Sequence, residues 1–478
     1  MISSAQHSKL ARSAIAPAAL TGISPEQSVG ENPKSSFDVL IVGGGLSGLA
    51  AAVELASRGA QVALTEQAPR LGGRCYSYLD QKTGDVVDNG QHLLLGAYHN
   101  LLRYLETIGT IQFLKRQLIL NLPFYHPVKG RGDFEISRLP KPFHLTAGML
   151  KFKLLSLKDR RNLLKIGVAL SRWDRQTEKE LSNLTVEEWL FSLNQSEEAR
   201  GSFWHPIAIS VMNEHPGKAS ALLFARSLRA AFLGKKSDSS LLIPTVGQTD
   251  LYVRGAENFL RLRGITVWIN TEVESIDVSG TRAVGVRLKD GKRVQATQVI
   301  SAVPYYSLAK LIPPALRKEK PFIDLNEFES SSIISMHLWF DREFMDVDFL
   351  GLIGKNIQWV FNRRRFMNEE GNGTGYLSCV ISGARAFIDL SKEKLIALAL
   401  RDLHSVFPGS RTARMTSSII IKEKRATFSP TCEIEPLRPS SETPIENLYL
   451  AGDWTNTGLP ATIEGAVMSG FSAAKLIQ

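Results

Sequence analysis

The stretch "DVLIVGGGLSGLAAAVELASRG", residues 38–59, constrains this chain more than any other. Gly43, Gly45 and Gly48 stand in G-x-G-x-x-G spacing, directly after the unbroken apolar run from Val39 to Val42 and ahead of a helix expected from Leu49 to Arg58. Strand, glycine turn and helix in that order form a dinucleotide-binding fingerprint. The first glycine permits the tight turn, the second lets a pyrophosphate approach the backbone, and the third lets helix and strand pack closely. Leu46 and Ser47 sit where the helix N-terminus offers free amides and a partial positive charge. The next strand, "QVALTEQ", ends in Glu66, 18 residues after Gly48. A carboxylate there accepts ribose hydroxyls and disfavours a 2'-phosphate.

The same grammar recurs at the other end. "LYLAGDWTNTGLPATIEGAVMSG", residues 448–470, reads as a strand ending at Gly452 and Asp453, then a polar loop, then a helix opened by Ala461, Thr462 and Ile463. A reduced, anionic isoalloxazine carries negative charge near N1 and O2, and a helix N-terminus aimed there stabilises it. "PRLGGRCYS" adds Gly72, Gly73 and Arg74 after the second strand, a flexible turn whose guanidinium can reach a pyrophosphate. Together these motifs point to FAD, with its phosphates on the first helix and its flavin on the last.

These residues resemble the flavin amine oxidase and phytoene desaturase superfamily. Within it, "VDNGQHLLLGAY" (87–98), "FWHPIAISVMN" (203–213), "QWVFNR" (358–363) and "GLPATIEGAVMSG" (458–470) are similar to the hydroxysqualene dehydroxylase family of hopanoid biosynthesis, over about residues 36–478. The resemblance implies an α/β fold: a Rossmann-like FAD domain of glutathione-reductase type with an inserted α+β substrate domain. Residues 36–97, 241–324 and 441–478 would form the discontinuous FAD domain, with Val273 passing the adenine. Residues 98–240, largely helical, and 325–440, rich in strands, would form the substrate domain. Residues 1–35 read as a disordered tail. "GNGTG" at 371–375 reads as a hairpin turn, since no apolar strand leads into it.

The implied reaction is reductive loss of an allylic hydroxyl, with hydride from reduced flavin N5 and the hydroxyl leaving as water. Hydroxide is a poor leaving group, so a proton donor is needed. His92 is the first candidate, with Asp88 to orient it; His205 and Tyr98 stay open. An oxidative carotenoid desaturase or amine oxidase is the alternative, and a lipid-binding escort without flavin is a second. Phe203, Trp204, Leu222, Phe224, Phe232 and Trp359 are candidates to line a tunnel for a C30 isoprenoid. The electron donor is not identified.

Charge and cysteines narrow the setting. Net charge is +10, and residues 129–175 hold twelve Lys and Arg against four Asp and Glu. In "LTAGMLKFKLLSL" the spacing of Leu150, Leu154 and Leu157 predicts one apolar helix face, broadened by Phe152 and Leu155, and Ser156 with Asp159 predicts the start of a further helix. Apolar stripes among Lys and Arg suit an anionic membrane surface, whereas exposed aromatics interleaved with charge, as nucleic acid would need, are not evident. The basic helices are therefore placed at about 139–170. Cys75, Cys379 and Cys432 are odd in number and lack metal spacing, so no metal, no disulfide framework and a noncovalent flavin are expected. No run approaches the roughly 18 apolar residues of a membrane span. The expected location is cytoplasmic, peripheral on the inner face of the cell membrane.

Overall fold

The computed structural model describes residues 36–137, 139, 143–367 and 373–477; the expected tail (1–35) and the first two residues of the expected turn at 371–375 lie outside the described residues. Two seven-stranded sheets carry the architecture.

The first sheet grows from the fingerprint strand Ser36–Val42, whose Val39, Leu40 and Ile41 are wholly buried. Alternate side chains feed opposite layers, Val39 and Ile41 one apolar cluster and Leu40 and Val42 another. A strand covered on both faces must be apolar at every position, which explains the unbroken run. Val62–Thr65 and Thr266–Trp268 extend the sheet in parallel on one side. Arg293–Ser301 lies parallel on the other side and in turn carries Leu448–Leu450, the strand that precedes Gly452. Val273–Ser279 and Arg282–Leu288 complete it as an antiparallel meander, with Gly291 at φ +87° in the turn at Asp290.

The second sheet runs in the order Met415–Phe428, Ser330–Phe340, Gly375–Ser382, Trp359–Asn362, Phe349–Leu352, Asn121–His126, Gly130–Glu135. The last two strands form a hairpin inside the region expected to be largely helical. Their sequence alternates weakly and carries Pro123, so period 2 is masked. On the central strand, Ile334, Met336 and Leu338 pack with helix Lys392–Val406. Ser335, His337 and Trp339 face the other way, toward residues 85–90.

Helices Phe143–Lys151, Leu157–Ser171, His205–Met212 and Ala221–Leu233 cover the far part of this sheet around Phe124, Phe134, Phe152, Phe203 and Phe224. Ser156 caps the second of them by accepting from the Asp159 amide, as its sequence predicts. The single Leu150/Leu154/Leu157 face does not exist. The helix ends at Lys151, so Leu154 turns into the core at 2 % exposure while Leu150 and Leu157 stay exposed.

Candidate active site at the junction of the two sheets

The fingerprint turn is built for a ligand at one glycine and for packing at the other two. Gly43 adopts φ +106°, and a Cβ there would lie 2.8 Å from the Ala302 carbonyl oxygen. A Cβ on Gly48 would lie 1.9 Å from the Gly43 oxygen. On Gly45 it would meet nothing within 4 Å, which leaves open the approach that a pyrophosphate needs. The helix that follows, Leu46–Ser57, has no side-chain cap and no acid in its first turn, so its leading amides are available to an anion. Glu66 accepts from the Gly44 and Ala68 amides at 2.8 Å each, which fixes its carboxylate beside the turn with lone pairs to spare for ribose hydroxyls. Val273 opens its strand opposite Leu288 and is 8 % exposed.

The two chain ends meet here. A Cβ on Gly470 would lie 2.2 Å from the Ser47 oxygen, so the terminal helix Ile463–Lys475 packs directly on the fingerprint helix. Thr462 caps it by accepting from the Gly465 amide, and Ala461 packs on the layer beneath. Glu464 in its first turn accepts from the Asn100 and Leu101 amides and so caps helix His99–Thr107. The glycine turn after the second strand lies against the fingerprint, since the Gly72 amide donates to Gly44. Arg74 then donates to Asp453 at 2.7 Å and to the Ala426 carbonyl. Arg74, expected at the pyrophosphate, and Asp453, expected beside the flavin, thus pair directly. The residues fit FAD: an open glycine, uncapped amides, a fixed acid and a second helix N-terminus.

The segment 85–92 joins this cradle to the second sheet. Asn89 donates to the Arg74 carbonyl at 2.9 Å. Asp88, expected to orient His92, does not reach it. Its carboxylate pairs at 2.9 Å with Arg363, which is wholly buried, and accepts from the Gln248 amide. Burial pushes the Asp88 carboxyl above its usual value while Arg363 pulls it down. Arg363 also donates to Gln91, and Arg364 pairs with Asp85, which in turn accepts from Trp339. His337 lies between the Asp88 carbonyl (3.0 Å) and the Tyr376 hydroxyl (2.9 Å). Bonding to a carbonyl makes its Nε2 the donor, so Tyr376 donates to Nδ1. Burial lowers its pKa to about 3 and keeps it neutral.

His92 follows in the loop, its Nδ1 buried without a partner and its pKa lowered to about 4 by burial. At neutral pH it is an uncharged imidazole. Tyr98 precedes the Glu464-capped helix and is pushed up to about 12 by burial. His205 pairs with Glu187 at 2.6 Å in the helical layer, away from the segment 85–92.

A small apolar cleft opens among the helices, lined by hydrophobic side chains. Phe203, Trp204 and Phe232 line it, with Leu145, Met149 and Ile166 from the two basic helices. Leu222, Phe224 and Trp359 are not on its wall but belong to the apolar cluster behind it. Sequence reasoning missed Arg363, Arg364, His337 and Tyr376. The one local signal was the run Arg363–Arg365 after "QWVFN", since consecutive arginines entering a core require acids there. Among the described residues no helix is long and apolar enough to cross a membrane, and no group of acids, histidines and cysteines forms a metal site.

Comparison with known proteins agrees with this geometry. The model of the flavin containing amine oxidoreductase family matches residues 46–478. Hydroxysqualene dehydroxylase of Rhodopseudomonas palustris is 31 % identical, covering 92 % of this chain and 98 % of that protein. Hydroxysqualene dehydroxylase of Zymomonas mobilis is 29 % identical, covering 91 % and 98 %. Among solved structures, an oxidoreductase from Methanosarcina mazei superposes with a TM-score of 0.72 at 20 % identity, covering 91 % of this chain and 99 % of its own.

Proposed function

Since the chain belongs to the flavin containing amine oxidoreductase family, with FAD as its cofactor, we propose that it is a hydroxysqualene dehydroxylase, converting hydroxysqualene to squalene and water. The observation that carries this reading is the match along nearly the whole chain to enzymes of that name. The geometry fits it: the helical layer holds an apolar cleft, and the polar segment 85–92 adjoins the cofactor cradle.

The balance is R–OH + H⁻ + H⁺ → R–H + H₂O, and bound reduced FAD supplies the hydride. The protein's part is to hold and orient. Gly45 and the amides of the fingerprint helix receive the diphosphate, Glu66 the ribose, and the helix capped by Thr462 faces the flavin; Arg74 and Asp453 lie between. Apolar walls around Phe203 and Trp204 suit the hydrocarbon chain of the substrate. Burial keeps His92 an uncharged imidazole at neutral pH, so its part is an N–H hydrogen bond to the departing hydroxyl and not transfer of the proton. Asp88 acts on the loop through Arg363 and Gln91.

The substrate arrives from a membrane. A C30 isoprenoid gains on the order of 20 kcal/mol on leaving water, so almost none exists free in it. Leu150, Leu157 and Val168 are exposed on the two helices that line the cleft, and Lys151, Lys153, Lys158, Arg161 and Lys165 are exposed around them. That arrangement suits docking on anionic lipid, at roughly 1 kcal/mol per cation near the surface.

The test is anaerobic incubation of the dithionite-reduced protein with hydroxysqualene. Squalene is expected, and recovery of unchanged substrate overturns the reading. Oxygen-dependent formation of a more unsaturated product would favour a desaturase.

A further inference from the structure

Five buried polar atoms without a partner gather around one loop: Asn89 Oδ1, His92 Nδ1, Gln248 Oε1, Arg363 Nε and Ser378 Oγ. Buried polar atoms are nearly always bonded, so such a concentration calls for a guest. The placement is specific. Gln248 donates through its amide nitrogens to Gly90 and Asp88, which leaves its carbonyl oxygen free. Gly90 faces Ser335, since a Cβ there would meet Ser335 Oγ at 3.4 Å and no other atom within 4 Å. Ser378 is wholly buried and stands on its ladder between His337 and Phe361. The sheet face therefore changes from polar (His337, Tyr376) to apolar (Phe361, Trp359, Val380) at Ser378, and the apolar side belongs to the cluster that lines the cleft.

We propose that Ser378, Gln248 and Ser335, under the Gly90 loop, form the subsite that receives the single hydroxyl of the substrate and from which it departs as water. This rests on the dehydroxylase reading. A hydrocarbon has nothing to bond here and leaves the polar atoms unpaired, so the subsite selects an isoprenoid alcohol over its parent alkene. Acceptors are present for the hydroxyl proton (Gln248 Oε1, Asn89 Oδ1) and a donor for its oxygen (Ser378 Oγ).

The test is equilibrium binding to the oxidised holoprotein, where no turnover occurs, read by the shift in melting temperature with hydroxysqualene and with squalene. The wild type is expected to prefer the alcohol. Ser378→Ala and Ser335→Ala should each cut that preference about three- to tenfold, the size of one neutral hydrogen bond. They should leave squalene binding and FAD content unchanged, and Ser378→Ala should melt at or above the wild-type temperature, because it deletes an unpaired hydroxyl. Unchanged preference in both variants overturns the subsite. So does a marked loss of melting temperature in Ser378→Ala, which would make that hydroxyl structural. If the wild type binds the alcohol selectively but the reduced protein does not convert it, the subsite stands and the dehydroxylase reading falls.

Discussion

At residue scale, Gly45 and Gly48 separate binding from folding, because a methyl group meets open space at one and backbone at the other. Gly45 is already extended at φ −71°, which alanine adopts without strain. Gly45→Ala is expected to fold with wild-type thermal stability and lose most of its FAD, since the methyl group occupies the diphosphate's approach. Gly48→Ala is expected to cost at least about 2 kcal/mol, as overpacking against backbone does. Flavin absorbance and urea melts of both variants check the pair, and retention of FAD by Gly45→Ala would mean that the diphosphate lies elsewhere. The buried histidines add a pH dependence. His92 and His337 fall from 6.5 to about 4 and about 3 on folding. Between pH 6.5 and 4 the unfolded chain takes up protons that the folded one refuses, so their contribution is present above pH 6.5 and is lost as pH falls toward 4. Melting temperature should therefore drop over that window, and His92→Gln should flatten part of the drop.

At the scale of elements, the basic helices show what local pattern can and cannot settle. The Ser156 cap was legible because it needs only the next three residues. The single leucine face was not, because the break after Lys151 is set by Phe152, Leu154 and Leu155 docking on the hairpin at Phe134 and Gly132, distant in sequence. Arg160, a surface cation by pattern, instead donates to the Leu150 and Leu155 carbonyls and ties the two helices together. A charge test must therefore spare it. Replacing Lys151, Lys153, Arg161 and Lys165 by Gln should lower binding to anionic liposomes by on the order of 1,000-fold, given roughly 1 kcal/mol per cation. Neutral liposomes should bind both proteins weakly. Raising salt from 0.1 M to 1 M, which shortens the Debye length from about 10 Å to about 3 Å, should mimic the substitutions. Equal binding of the variant and the parent to anionic liposomes would leave these helices as ordinary solvated faces.

At the scale of the whole molecule, one sheet and the packing of the terminal helix on the fingerprint helix bring the two ends of the chain to the cofactor cradle. The fingerprint strand, its glycine turn and the terminal helix were readable because each motif is contiguous, whereas the clasp between the sheets was not. Asp85 and Asp88 find Arg364 and Arg363 across most of the chain, and no spacing rule links such partners. The cofactor should come away without a covalent trace, since Cys432 bonds the Leu184 carbonyl and the Cys75 thiol is pushed up to about 12 by burial, far from a reactive thiolate. Acid precipitation should release all the yellow colour, and rebinding at 100 times Kd should add about 2.7 kcal/mol of stability. The clasp gives the last test. Arg363→Met strands a buried carboxylate and should cost about 3–5 kcal/mol, because a lone buried charge loses both water and partner. Arg363→Met with Asp88→Asn removes both charges and should recover a large part of that loss, since the Gln248 amide still finds an oxygen at position 88. A double-mutant cycle by urea denaturation measures the difference. Additive losses would mean that Asp88 and Arg363 do not act as a pair, and that the loop bearing Gln91 and His92 is held against the second sheet by the remaining contacts of Asp85, Trp339 and His337.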